Sequence, residues 1–254
     1  MLSEPRKKIE LEIGHVLFID IVGYSKLLIN EQSDLLEHLK EMVRSSEEVR
    51  AAEADGKLIR LAAGDGMALV FRNSPEAPVQ CALELARADK NHPELRLRMG
   101  IHSGPINEVS DVNDRANVTG AGMNMAQRIM DCGDAGHILL SQHVADDLEQ
   151  YGQWRPLLHD LGECEVKHGV RLRVVNLYTD EVGNPAVPDR FCKTKPTLEA
   201  IAVPSANSPG VRWGPLVIAA TLLALGTGAF FWRHLVSIYF LPNDFWKCPE
   251  GSVQ

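Results

Sequence analysis

The chain has 254 residues, a net charge of −8 and 45% hydrophobic residues, enough for one medium domain with a true core and a further segment. A pI near 5.6 excludes a broad nucleic-acid surface, which requires clustered Lys and Arg. The five cysteines, Cys81, Cys132, Cys164, Cys192 and Cys248, form no CxxC pair; this argues against a disulfide framework or a zinc site of that type, and for a reducing compartment.

The charged N-terminus has no signal-peptide core. Val16–Ile19 reads as a strand that ends on Asp20, and an IVGYS turn follows. Leu27 to Ala54 has helical spacing, with Leu35, Leu36, Leu39, Val43 and Val49 on one face. Leu58–Ala62 and Met67–Phe71 form a predicted hairpin turning at Ala63–Gly66. A helix is predicted over Pro75–Lys90, then a strand over Leu95–Ile106 and a polar loop over Val109–Asn117. Ala121–Met130 reads as a helix stopped at Gly133, Ile138–Leu140 as a strand, Gln142–Glu149 as a helix and Val170–Tyr178 as a closing strand. The mixed βαββαβ order predicts an antiparallel-rich α/β (α+β) sandwich of ferredoxin-like type.

From Glu181 to Gly210 the chain is rich in Pro, Ser, Ala and Asn and reads as a linker. Trp213 to Trp232 is then a run of 20 uncharged residues between Arg212 and Arg233. That length matches the hydrocarbon core of a bilayer, and a tryptophan at each end suits the interface. Ala220, Ala224 and Gly228 recur every four residues; the stripe suits close helix pairing, and equally the ordinary small-residue content of a membrane helix. The expected organisation is an N-terminal extension (1–13), a catalytic domain (14–180), a linker (181–211), one transmembrane helix (212–234) and a short tail (235–254).

Two carboxylates carry the chemistry. Asp20 ends one strand, and Asp65 sits between two glycines in the hairpin turn of two others. If those strands share a sheet, the carboxylates meet at its edge, where they repel unless a cation lies between them. Mg²⁺ prefers one or two carboxylates together with phosphate oxygens and water. The glycine of IVGYS and the helix start after it suit an anion. Together these features read as a two-metal triphosphate site. Alone, Gly64-Asp65-Gly66 reads as an ordinary tight turn.

FIDIVGYS, GDGMALVF, LRMGIHSGP and VTGAGMNMAQRI follow one another in this order. The ordered set, over roughly His15 to Tyr178, resembles the class III nucleotide cyclase catalytic domain, the family of adenylyl and guanylyl cyclases. The resemblance implies that Asp20, Asp65 and the backbone carbonyl of Ile21 hold two Mg²⁺ or Mn²⁺ ions per active site. It implies that Asn124 orients the ribose and Arg128 meets charge on the phosphoryl group; their spacing of four puts both on one helix face. Arg98 and Lys167 fall on phosphate contacts. His102 is read as a packed strand histidine. Purine-selecting members carry a lysine where this chain has Leu61, and an Asp or Thr where it has Asn117. ATP is therefore expected from family frequency, with GTP, CTP or UTP as alternatives. A catalytically silent nucleotide-binding or dimerisation module is the competing reading.

The family's active sites lie between two head-to-tail subunits. This chain carries both halves, which implies a homodimer with two equivalent shared sites. With the apolar run as a single membrane pass, the need for a nucleoside triphosphate places the catalytic domain in the cytoplasm, and the acidic charge leaves no nucleic acid among the expected partners.

Overall fold

A computed structural model of the chain describes residues 12–110, 116–166 and 169–194. Lys167, the apolar segment expected to cross a membrane, and both chain ends lie outside the described residues. Among the described residues no helix is long and apolar enough to cross a membrane.

The central strand is β1 (Glu12–Ile21), which begins within the expected N-terminal extension. Its residues from Val16 to Ile19 are buried on both faces, which is why the sequence there is a continuous apolar run rather than an alternation. α1 (Ile29–Ser45) and α2 (Glu47–Ala54) follow, then β2 (Leu58–Ala63), β3 (Gly66–Phe71), α3 (Ala77–Asp89) and β4 (Leu97–Ser110). After these come β5 (Ala116–Thr119), α4 (Ala121–Met130), β6 (Ile138–Ser141), α5 (Gln142–Leu148), β7 (Leu158–Val166), β8 (Val170–Leu177) and α6 (Asp189–Thr194). The sheet runs β2-β3-β1-β4-β6-β8-β7, with β5 paired to β4 off this path. Its first four positions, from one βαββαβ unit, have the ferredoxin-like order. All neighbours are antiparallel except β4 and β6.

The two faces carry different layers. Leu17, Ile19 and Ile21 of β1 pack with Leu69, Phe71, Met99 and Ile101 beneath Leu39, Val43 and Val49 of α1 and α2, Leu85 of α3, and Val144 of α5. Val16, Phe18, Ala68, Val70 and Ile106 face the other way, under Ala126 and Met130 of α4. A third cluster joins Ile129 and Cys132 to Leu139, Cys164, Val174 and Phe191 of α6. Each fully buried Leu, Ile or Phe here contributes roughly 1.5–3 kcal/mol of transfer free energy.

Three expectations need correction, and one strand had none. The long helix over Leu27–Ala54 is a 3-10 turn at Tyr24–Lys26 and two helices parted at Ser46. Ser46 has extended ψ of 132°, and its hydroxyl accepts the Val49 N–H at 3.2 Å while donating to the Glu84 carboxylate. It caps α2 and ties it to α3, so local hydrogen bonding overrides a helical period that continues through it. The polar loop over Val109–Asn117 is partly strand: β4 runs to Ser110, and β5 returns against it. β7 was not read at all. Its residues are mostly half-buried or exposed, as suits a sheet edge with no clear alternation. Finally, residues 181–194 are not a linker. Val182 and Phe191 are buried, and Asn184 donates to the Ala135 carbonyl at 3.0 Å while its own carbonyl accepts from Asn176 at 2.8 Å.

Candidate active site

The alternation of β1 sends Asp20 to the same face as Val16 and Phe18. Its register partners are Gly66 on β3 and Arg98 on β4. Gly66 is required by contact, because a Cβ there would lie 1.9 Å from the Ile19 carbonyl oxygen. Gly64, at φ +61°, opens the two-residue turn between Ala63 and Gly66, a conformation that glycine adopts at little cost. The glycines on either side of Asp65 thus let the hairpin tip close onto the end of β1, and the two carboxylates face each other.

Arg98 meets Asp20 from the opposite side. Its Nη2 and Nε lie 2.6 and 2.7 Å from Asp20 Oδ2. The same guanidinium reaches Asp131 at 3.6 Å and the Gly133 carbonyl at 3.5 Å. Burial nevertheless pushes the Asp20 carboxyl up to about 6 against the pull of Arg98, and Asp65 adds to the rise. A carboxylate pair that carries unrelieved negative charge beside a single arginine is suited to a further cation. The Ile21 side chain is buried in the main core, so only its backbone carbonyl is free to act as a donor. Two carboxylates and a carbonyl form a hard oxygen set, which fits Mg²⁺ or Mn²⁺.

The second group of candidates sits on α4 and β5. α4 lies directly on β4 because Gly100 has no side chain: a Cβ there would be 2.4 Å from the Met130 nitrogen. Gly122 and Gly104 make a similar approach near the start of the helix. This seating turns Asn124 outward, exposed, and leaves Arg128 half-buried. Among the described residues neither side chain makes a hydrogen bond or ion pair. Asn117 lies on β5 opposite Val109, and its Oδ1 accepts the N–H of Val118 at 2.8 Å. Val109 follows Arg98 by eleven residues on β4, roughly 36 Å of extended strand at ~3.3 Å per residue. Asn117 and the carboxylate pair are thus at opposite ends of one strand. Leu61 packs against the α4-side cluster and lines a cavity of about 380 Å³ with Leu36, Val43 and Met67.

The model of the Adenylate and Guanylate cyclase catalytic domain family matches residues 10–178. The chain belongs to this family. It is a nucleotide cyclase, an enzyme of a class that takes a nucleoside triphosphate and uses divalent metal ions. No curated protein matches its sequence. Among solved structures, the adenylyl cyclase CyaB from P. aeruginosa is 19% identical, with 70% of this chain and 100% of that one covered at a TM-score of 0.55. An adenylate/guanylate cyclase/hydrolase from Silicibacter pomeroyi is 27% identical, covering 67% and 99% at 0.51. A guanylyl cyclase domain of the RhoGC fusion protein from Blastocladiella emersonii, a dimer of a non-standard kind, is 18% identical, covering 66% and 97% at 0.52.

The cyclase fold brings together Asp20, Asp65 and Arg98. It does not bring Asn117, Asn124 or Arg128 into contact with them. Arg98, expected at a phosphate, is engaged with Asp20. Sequence reasoning missed Asp131 as the second carboxylate on Arg98, and the glycines that seat α4. A signal for the latter was present, since glycine inside a strand pattern marks close backbone approach.

Proposed function

We propose that this cyclase works as a homodimer with two shared sites and converts ATP to 3′,5′-cyclic AMP and pyrophosphate. The observation that carries this reading is the separation of Asn117 from the Asp20–Asp65 pair along β4, farther than one nucleotide reaches. A second copy, placed head to tail, supplies the missing half. Exposed Asn124 and half-buried Arg128, which have no side-chain partner among the described residues, suit the same arrangement.

In this proposal Asp20, Asp65 and the Ile21 carbonyl hold two divalent ions, which when bound neutralise the triphosphate and acidify the ribose 3′-hydroxyl. Arg128 from the partner faces the α-phosphoryl group as charge develops, and Asn124 orients the ribose so that its 3′-oxygen lies in line with the α-phosphorus. Arg98 and Lys167 grip the phosphates, which requires Arg98 to give up part of its contact with Asp20. Leu61 and Asn117 face the base. The apolar segment at 212–234 anchors the protein, with the catalytic domain in the cytoplasm, where nucleoside triphosphates are supplied.

A second reading concerns the base. Leu61 offers no hydrogen bond, and Asn117 spends its oxygen on Val118, leaving only amide donors. Such donors suit a carbonyl acceptor, so GTP, CTP or UTP is the alternative substrate.

The test is incubation of the full-length chain with ATP, GTP, CTP and UTP separately, in Mg²⁺ or Mn²⁺, with mass spectrometry of the products. We expect a cyclic product from ATP that Asp65→Ala abolishes. A product from another nucleotide alone transfers the assignment to that base. No product from any of the four, in a folded dimer, overturns the proposal.

A further inference from the structure

Outside this site, the connection from α3 to β4 meets α1. His92 Nδ1 and Glu94 Oε1 are 3.2 Å apart, and His38 Nδ1 of α1 lies 3.9 Å from the same oxygen. The two imidazole rings are 5.3 Å apart and tilted by 45°. One ligand atom from each of the three residues lies within 4.8 Å of the others. His38 Nδ1 is closed off from solvent and has no hydrogen-bond partner. Three electron-pair donors thus converge on one point, with nothing but a proton or a cation able to hold them there.

We propose that His38, His92 and Glu94 bind one divalent transition-metal ion of the zinc class. Two imidazoles and one carboxylate select Zn²⁺ and its neighbours over Mg²⁺ or Ca²⁺, which prefer oxygen alone. Tetrahedral zinc with bonds of about 2.0–2.1 Å sets its ligand atoms roughly 3.3 Å apart. The His92–Glu94 pair already has this spacing, and the His38–Glu94 pair, at 3.9 Å, is within ~1 Å of it. The three side chains are 43%, 39% and 48% exposed in the order His38, His92, Glu94, so the ion enters from solvent and water takes the fourth position.

Such an ion ties α1 to the segment leading into β4. In that segment the Arg96 carbonyl accepts the Val22 N–H at 3.1 Å, one residue from Ile21. The clip is nevertheless separate from the carboxylate pair and differs from it in ligand chemistry.

The experiment is calorimetric titration of the untagged full-length protein with Zn²⁺ in excess Mg²⁺, followed by Co²⁺ substitution and visible absorption. One Zn²⁺ per chain is expected, at micromolar affinity. His38→Gln and His92→Gln should each weaken it about tenfold or more, and both should abolish the intense bands of four-coordinate Co²⁺. Asp65→Ala should leave both signals unchanged. Because the three side chains are partly exposed, circular dichroism should show all variants folded, and Glu94→Gln provides an independent third removal. Absence of Zn²⁺ binding, binding that survives both histidine variants, or binding lost only in Asp65→Ala overturns the proposal.

Discussion

The two ends of the candidate site are built differently. The carboxylate corner is complete within one chain: Asp20 is locked in register between Gly66 and Arg98, and Asp65 is delivered by a hairpin that only glycine permits. The α4 and β5 region is finished as structure but not as chemistry. Its helix is seated on bare glycine backbone, while exposed Asn124 and half-buried Arg128 have no hydrogen-bond or ion-pair partner among the described residues. The difference teaches that the fold of one chain fixes the carboxylate corner, whereas the α4 and β5 groups have a role only in the proposed dimer.

The sharpest way to break that comparison is to mix two dead proteins. Asp20→Ala and Arg128→Ala are each expected to lower kcat by on the order of 10²–10³-fold or more, as removal of a preorganised charge partner does. Mixed in equal amounts and allowed to exchange subunits, they should recover about a quarter of wild-type activity, since half the dimers are mixed and each keeps one intact site. Absence of recovery in a mixture shown to form mixed dimers would mean that each site is built from one chain.

A smaller effect is expected from Gly100→Ala. The added methyl collides with the Met130 nitrogen at 2.4 Å and the Ala126 carbonyl at 2.6 Å. Lifting α4 should cost about 1–3 kcal/mol, the usual range for overpacking, and be read as a lower Tm. It should also lower kcat, because Asn124 and Arg128 move with the helix. A variant with wild-type Tm would show that the seating of α4 is softer than its contacts imply.

The third effect is confined to acid pH. His102 lies on β4 with its Nδ1 2.8 Å from the Ser141 hydroxyl. Burial, helped by His143, lowers its pKa from 6.5 to about 4. The folded protein therefore resists a proton that the unfolded chain accepts below 6.5. Stability from this group is complete above pH 6.5, falls as the pH drops towards 4, and then levels off. His102→Gln should flatten the Tm profile across that window and leave it unchanged at neutral pH. An identical slope in wild type and variant would assign the acid sensitivity to another group.

How much was legible in the sequence follows from the range of the interactions involved. The hairpin around Asp65, the apolar run of β1 and the order of the ferredoxin-like unit are written in short-range pattern, and each was readable. The pairing of two carboxylates also followed, because their motifs carry them to neighbouring strands. Less was readable where a distant contact decides. The helix break at Ser46 depends on Glu84, β5 exists because β4 extends to meet it, and residues 181–194 look like a linker until Val182 and Phe191 find the core.

The sequence by itself therefore determined the family, the order of the ferredoxin-like unit and the identity of the candidate ligands, because these rest on local periodicity, turn chemistry and motif order. Only the tertiary structure decided that Arg98 holds Asp20, that Asn117 stands at the far end of β4 from it, and that Asn124 is exposed while Arg128 is half-buried. Each of these is a matter of strand register and helix seating. Register is set by the packing of whole faces, and a shift of one residue would reverse every side chain on the strand.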